Sequence, residues 1–101
     1  MPDSPPERAT LYVVQYSWPI ERDTEVRAAY PRHRADLDRL GDAGGLWMIG
    51  TLPEVSGRTS AIAVFRSKES AEDFRRNDPL FTADLVSATA VLTWKPITFA
   101  P

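Results

Sequence analysis

The sequence contains no cysteine, which excludes a disulfide framework, a thiolate metal site and a cysteine nucleophile. It contains a single histidine, His33, so one chain cannot supply the usual set of zinc ligands. Glycine is also scarce, with five residues, and these do not form a G-x-G-x-x-G or G-x-x-x-x-G-K-S/T phosphate-binding loop. A G-x-S-x-G nucleophile elbow is missing as well. We therefore expect no nucleotide, flavin or metal cofactor.

The chain also lacks long apolar stretches and an excess of charge of one sign. Its longest unbroken apolar runs, 46–49 and 61–65, are far shorter than the roughly 18 residues that suggest a membrane span. The 12 Lys and Arg residues are mixed with 14 Asp and Glu residues, which argues against a nucleic-acid or anionic-membrane surface. The N-terminus has an acid and prolines where a signal peptide is basic and apolar. We expect a cytoplasmic protein whose partner is a small molecule or another protein.

The sequence pattern predicts one domain at 10–97, with a disordered N-terminal tail at 1–9 and a C-terminal tail at 98–101. Segments rich in β-branched and aromatic residues predict strands at 10–17, 46–52, 59–65 and 88–95. Helical spacing predicts a main helix at 31–43, with His33, Leu37 and Leu40 on one face at i, i+4 and i+7. It also predicts a second helix that Ser67 caps and a short turn at 80–85. Asp23 and Thr24 can cap an earlier helical turn, so Pro31 marks either a kink or the start of the main helix.

The order β-α-β-β-α-β predicts an α+β, ferredoxin-like antiparallel sheet with both helices on one face. Alternation sends Leu11 and Val13 to one face of the first strand and Tyr12 and Val14 to the other, so neither face is polar. Two helices cover only one side of a sheet. We therefore expect a homodimer through the second apolar face, with a small-molecule ligand in a cavity between the two sheets.

Four segments resemble the YCII-related (YciI-like) domain family in order and spacing: Tyr30 to Leu37, Gly50 to Pro53, Arg66 to Ala71 and Asn77 to Phe81. The resemblance extends from about residue 11 to residue 94. It implies two ferredoxin-like units paired sheet to sheet as a dimeric α/β barrel. It also implies an active site at a histidine early in the first helix and an aspartate in an Asp-Pro turn.

In this sequence those two positions are His33 and Asp78. Histidine is the side chain whose unperturbed pKa, about 6.5, places a charge change near neutral pH, so His33 is the first candidate for proton transfer. A hydrogen bond to Asp78 would orient the ring. Alternatively, His33 is a core histidine and Asp78 only caps the turn at Pro79. Asp36 is a competing partner for His33, unless it pairs with Arg32 at the surface.

Further candidates for substrate binding are Tyr12, Tyr16 and Trp47, which alternation places on one face as aromatic walls or as dimer packing. The family tends to have a Gly-Ser pair where this chain has Arg58 and Thr59; Thr59 retains a hydroxyl group, and Arg58 either binds a carboxylate or is solvated.

Two classes of function follow from these residues. The first is a cofactor-independent enzyme that uses His33 and Asp78 for an isomerase, lyase or elimination reaction on a small cyclic or aromatic molecule. The second is a non-catalytic ligand-binding or dimerisation module, whose limiting case is a structural dimer with a filled interior.

Overall fold

A computed structural model describes residues 10–99, so the predicted tail at 1–9 and the last two residues lie outside the described part. In chain order the elements are β1 (Leu11–Pro19), a 3-10 turn (Ile20–Arg22), α1 (Asp23–Asp42), β2 (Leu46–Val55), β3 (Arg58–Phe65), α2 (Lys68–Asn77), α3 (Pro79–Thr82), β4 (Ser87–Ala88) and β5 (Leu92–Trp94). The strands form one sheet with the order β2-β3-β1-β4, and β5 also pairs with β1. All pairings are antiparallel. This arrangement confirms the predicted ferredoxin-like α+β fold.

Helix α1 runs without interruption through Pro31, so the main helix begins eight residues before that proline. Proline has no N–H to donate to the carbonyl of Arg27 one turn earlier. Both residues are exposed, so that carbonyl can bind water. The predicted cap is wrong: the N-cap position is Arg22, without a side-chain hydrogen bond, and the carboxylate of Asp23 instead accepts from Trp18 and Arg27.

A tight turn joins β2 and β3 into a hairpin. Ser56 and Gly57 form its two-residue turn and both have positive φ, the backbone that matches the twist of paired strands. Near the start of β2 the register shifts between Leu46 and Met48. This bulge turns Leu46 to the same face as Ile49, whereas strict alternation predicted opposite faces for these two residues.

The predicted last strand is divided into β4 and β5. Thr89 lies between them, and its hydroxyl oxygen and backbone N–H bond the backbone N–H and C=O of Gln15 on β1. Residues 90 and 91 leave the ladder, so β4 retains only two paired positions with β1. β5 then pairs with the first half of β1.

The main core fills the layer between the sheet and the helices. Its largest fully buried side chains include Phe65 on β3, Phe74 on α2 and Leu80 on α3. A smaller apolar cluster lies on the other face, which we call the outer face of the sheet. That cluster consists of Leu11, Val13 and Val64, with Ile62 against it.

Candidate active site

His33 and Asp78 are in direct contact at the centre of the helix-sheet layer. The ring nitrogen Nδ1 lies 2.9 Å from Oδ1 and 2.8 Å from Oδ2 of Asp78. His33 is 4% exposed and Asp78 is 0% exposed, so water does not screen this pair. The contact that the sequence could only suggest is therefore present.

Two helices bring these side chains together. His33 lies on the buried stripe of α1 that also contains Leu37 and Leu40, as the spacing predicted. Asp78 separates α2 from α3, and its Oδ2 accepts from the backbone N–H of Leu80 at 3.0 Å. Asp78 therefore caps α3 and binds His33 simultaneously, so the two interpretations of this residue are not exclusive.

Tyr16 contacts the second ring nitrogen of His33. Its hydroxyl group lies 3.4 Å from Nε2 of His33. Burial, and next the nearby charge of Asp78, raise the pKa of Tyr16 above its usual range, so the hydroxyl remains protonated. A carboxylate can only accept, so Nδ1–H donates to Asp78. In the neutral imidazole Nε2 is then an acceptor, to which the Tyr16 hydroxyl can donate. An imidazole in this tautomer can accept a proton at Nε2.

A cavity of about 590 Å³ opens beside Nε2 on the helix-facing side of the sheet. Its inner wall includes Tyr16, Trp18, Tyr30, His33 and Leu80, and the ends of β2 and β3 complete its rim. The indole N–H of Trp18 donates to Asp23 at 3.1 Å, which fixes the orientation of this part of the wall. The volume falls within the range typical of sites for small organic ligands.

The predicted substrate-binding residues divide into two groups. Tyr16 and Thr59 line the cavity. The other three do not line this cavity: Tyr12 packs against the core, Arg58 is exposed and donates to Ser17, and Trp47 lies exposed in the β2 bulge with Arg66 above its ring. Their role in substrate binding stays a prediction. Trp47 instead borders a second cavity of about 470 Å³, and Tyr30 lies between the two cavities.

This cavity is not the one that the sequence predicted. It lies under α1 within one chain, whereas the predicted cavity lay between the sheets of two chains. The inter-sheet cavity stays a prediction because it requires a second copy.

Sequence reasoning missed the wall residues Trp18 and Tyr30. Trp18 continues the alternation of Tyr12, Val14 and Tyr16 on the helix-facing side of β1, so extending the strand by one residue would have found it. Tyr30 lies three residues before His33, one helical turn away, and its ring centroid is 5.9 Å from that of His33.

Asp36 does not pair with Arg32 or replace Asp78 as the partner of His33. It accepts instead from Arg39, whose guanidinium also binds Asp73 on α2. On the exposed side of α1, Arg34 donates to Asp38 at 3.0 Å.

No protein-family profile and no curated protein matches this sequence. Solved structures match its fold along nearly the whole chain. A variant of SnoaB, a cofactor-independent oxygenase from Streptomyces nogalater, is 16% identical with a TM-score of 0.60, over 92% of this chain and 98% of that one. Rv0793 from Mycobacterium tuberculosis is 15% identical with a TM-score of 0.57, over 91% and 99%. A dimeric ferredoxin-like protein from an uncultured marine organism is 9% identical with a TM-score of 0.58, over 90% and 98%.

These likenesses establish the fold of the chain. It is a ferredoxin-like fold. At such low identity they do not assign a reaction. Within residues 10–99, no helix combines the length and the apolar character that crossing a membrane requires.

Proposed function

We propose that this chain is a small YciI-like enzyme that performs cofactor-independent acid/base chemistry on a small cyclic or aromatic molecule. The observation that carries the proposal is the buried pair of His33 and Asp78, with Nε2 of His33 beside a cavity. The resemblance of the Tyr30 to Leu37 and Asn77 to Phe81 segments to the family supports it. The fold that the chain shares with a cofactor-independent oxygenase is compatible with it.

In the proposed reaction, Nε2 of His33 removes a proton from an acidic C–H or O–H group of the substrate. The ring becomes an imidazolium whose charge the Asp78 carboxylate stabilises. His33 then returns the proton to another atom of the substrate, which gives an isomerisation, or to a leaving group, which gives an elimination. The proton is conserved in either case, so the chemistry requires neither an oxidant nor a reductant.

The cavity favours a flat substrate that carries an oxygen atom. Tyr16, Trp18 and Tyr30 offer aromatic surfaces, and rings prefer offset or edge-on contacts with such surfaces. The hydroxyl group of Tyr16 lies beside Nε2, so it can donate to a substrate oxygen next to the atom that loses its proton. This arrangement suits phenols, cyclic ketones and lactones.

Hydrogen–deuterium exchange tests this proposal without knowledge of the complete reaction. A panel of small lactones, cyclic ketones and phenols is incubated with the protein in D2O, and exchange of the acidic C–H groups is followed by NMR. We expect exchange with the wild-type protein and none above background with His33→Gln. Tyr12→Phe serves as a control, because Tyr12 packs against the same core from β1 but lies outside the cavity.

Undiminished exchange in His33→Gln would refute the role of this histidine. Binding of panel compounds without exchange by the wild-type protein would favour the alternative, a non-catalytic ligand-binding module.

We further propose that two copies associate through the outer face of the sheet. Leu11, Val13 and Val64 form an apolar cluster there, and beside it Leu92 and Trp94 are 42% and 45% exposed. Adjacent exposed apolar groups on a sheet face favour burial against a second copy. A structure similar to this chain is a dimeric ferredoxin-like protein. The cytoplasmic location stays a prediction.

Sedimentation of Leu92→Lys tests this assembly. A lysine at this position would place an unpaired charge in the proposed interface. We expect the wild-type protein to sediment as a dimer and Leu92→Lys as a monomer. Ala28→Lys is the control, because Ala28 is exposed on α1 on the opposite side of the sheet. A dimer that tolerates Leu92→Lys would exclude this face as the interface.

A further inference from the structure

The carboxyl group of Asp36 is partly buried and only half satisfied. Its side chain is 12% exposed. Oδ1 accepts two hydrogen bonds from Arg39, at 3.1 and 2.7 Å. Oδ2 is buried, and within residues 10–99 no protein group donates to it. An ionised carboxylate with one oxygen buried and unpartnered is unfavourable, because the lost hydration of that oxygen is not replaced.

Asp36 follows His33 by one helical turn on α1, so its carboxyl group lies on the side of the helix where His33 contacts Asp78. Neighbouring carboxylates disfavour double ionisation, because each negative charge raises the pKa of the other group. Burial first, and then Asp78, raise the pKa of Asp36, and these effects outweigh the opposing effect of Arg39.

The hydrogen bonds of the two carboxyl groups favour a proton on Asp36 over one on Asp78. Asp78 accepts the backbone N–H of Leu80 and the Nδ1–H of His33, and hydrogen bonds of this kind favour a carboxylate. Within residues 10–99, Oδ2 of Asp36 has no such donor.

We propose that Asp36 is a positioning residue: it carries a proton on Oδ2, donates it to Asp78, and so holds the carboxylate that orients His33. Donors then surround the Asp78 carboxylate: Leu80 N–H, His33 Nδ1–H and the Asp36 acid. Arg39 and Asp73 anchor the other end of this chain of groups at the surface. The inference extends the proposed function, because it concerns the same His33, but its test observes the ring itself and does not depend on turnover.

Two substitutions of Asp36 test whether its role is to donate a hydrogen bond to Asp78. In Asp36→Asn the amide oxygen can still accept from Arg39 while the NH2 group donates to Asp78, as the protonated acid does. In Asp36→Leu the side chain has a similar branched shape but cannot donate. Asp38→Asn is the matched control, because it makes the same chemical change on the exposed side of the same helix.

The readout is the tautomer of the single histidine, measured by long-range 1H–15N NMR of the imidazole at neutral pH. We expect Asp36→Asn and Asp38→Asn to retain the wild-type pattern, with the proton on Nδ1. We expect Asp36→Leu to lose the single-tautomer pattern. A wild-type pattern in Asp36→Leu would overturn the proposal, and so would loss of the pattern in Asp36→Asn.

A second measurement keeps the proposal testable if Asp36→Leu does not fold. The carboxyl carbons of the wild-type protein are labelled through aspartate and titrated by 13C NMR, and Asp36→Asn assigns the signal of Asp36. We expect this carboxyl group to remain protonated at pH values well above about 3.9, the ordinary pKa of an aspartate side chain. A signal that titrates within the ordinary range would mean that Asp36 is an ionised partner of Arg39 only. If the exchange assay fails while both NMR results hold, the proposed reaction is wrong but the positioning role stands.

Discussion

Replacing Asp78 with alanine tests whether the His33 contact stabilises the fold as well as orienting the ring. The substitution removes two hydrogen bonds in a fully buried environment. Loss of a helix cap costs about 1 kcal/mol. The buried Nδ1–H of His33 then lacks an acceptor, which costs a further 1–3 kcal/mol, approximately. We expect Asp78→Ala to lower the free energy of unfolding by about 2–4 kcal/mol.

The assay is urea unfolding at a fixed protein concentration, since an associating protein has a concentration-dependent stability. Ser67→Ala is the matched control, because Ser67 caps α2 by accepting from Ser70 N–H and has no histidine partner. We expect Ser67→Ala to cost about 1 kcal/mol. The excess cost of Asp78→Ala over this control measures the contact with His33. Equal costs for the two variants would refute the reasoning that the His33 contact is a stabilising interaction.

A double-mutant cycle then isolates the pair. His33→Ala alone leaves the Asp78 carboxylate without its ring partner, whereas the double variant removes both groups. We expect the second substitution to cost less in the presence of the first, by about 1–3 kcal/mol. Additive costs would mean that the two side chains contribute independently, despite the 2.8 Å contact.

Two further predictions concern other parts of the chain. A Cβ atom at Gly45 would overlap the side chain of Ser70. Gly45→Ala should therefore destabilise the protein by about 1–3 kcal/mol in the same urea assay, and adding Ser70→Gly should partly restore stability. An unchanged unfolding midpoint in Gly45→Ala would contradict this packing. Hydrogen bonds, first from Arg39 and then from Asn77, lower the pKa of Asp73 to about 2. The contribution of Asp73 to the free energy of unfolding is therefore present above about pH 4 and is lost as the pH falls toward 2. The partly exposed pair of Arg39 and Asp73 is worth about 1 kcal/mol. Asp73→Asn should therefore reduce the loss of stability at acid pH by that amount. Parallel stability–pH curves for the two proteins would contradict this role of Asp73.

The sequence predicted the elements wherever the periodicity was strong. The buried stripe at His33, Leu37 and Leu40 was correct, because helical spacing determines which residues share a face. The division of the last strand was not predictable, because it depends on Thr89 bonding to β1, a contact between residues 74 positions apart. The β2 bulge was missed for a related reason: alternation assumes a regular ladder, and a single extra residue reverses the faces beyond it.

The pairing of His33 with Asp78 was predicted, but the surroundings of the pair were not. A lone histidine and an Asp-Pro turn, read with the family resemblance, were enough to name His33 and Asp78. The partner of Asp36 could not be deduced, because Arg32 and Arg39 both lie within one helical turn of it. Only the packing of α1 against α2 brings Asp73 to the same guanidinium and so favours Arg39.

The two sides of the sheet separate the proposed chemistry from the proposed assembly. The cavity and the His33–Asp78 pair lie between the helices and the sheet, whereas Leu92 and the apolar cluster lie on the outer face. All the wall residues named above belong to one chain, so we expect the proposed acid/base site to need no residue of a second copy. A Leu92→Lys monomer that remains folded should therefore retain both the His33 tautomer and the exchange activity. Loss of either in a folded monomer would mean that the partner copy shapes the cavity through the sheet, and that a single chain is not the functional unit.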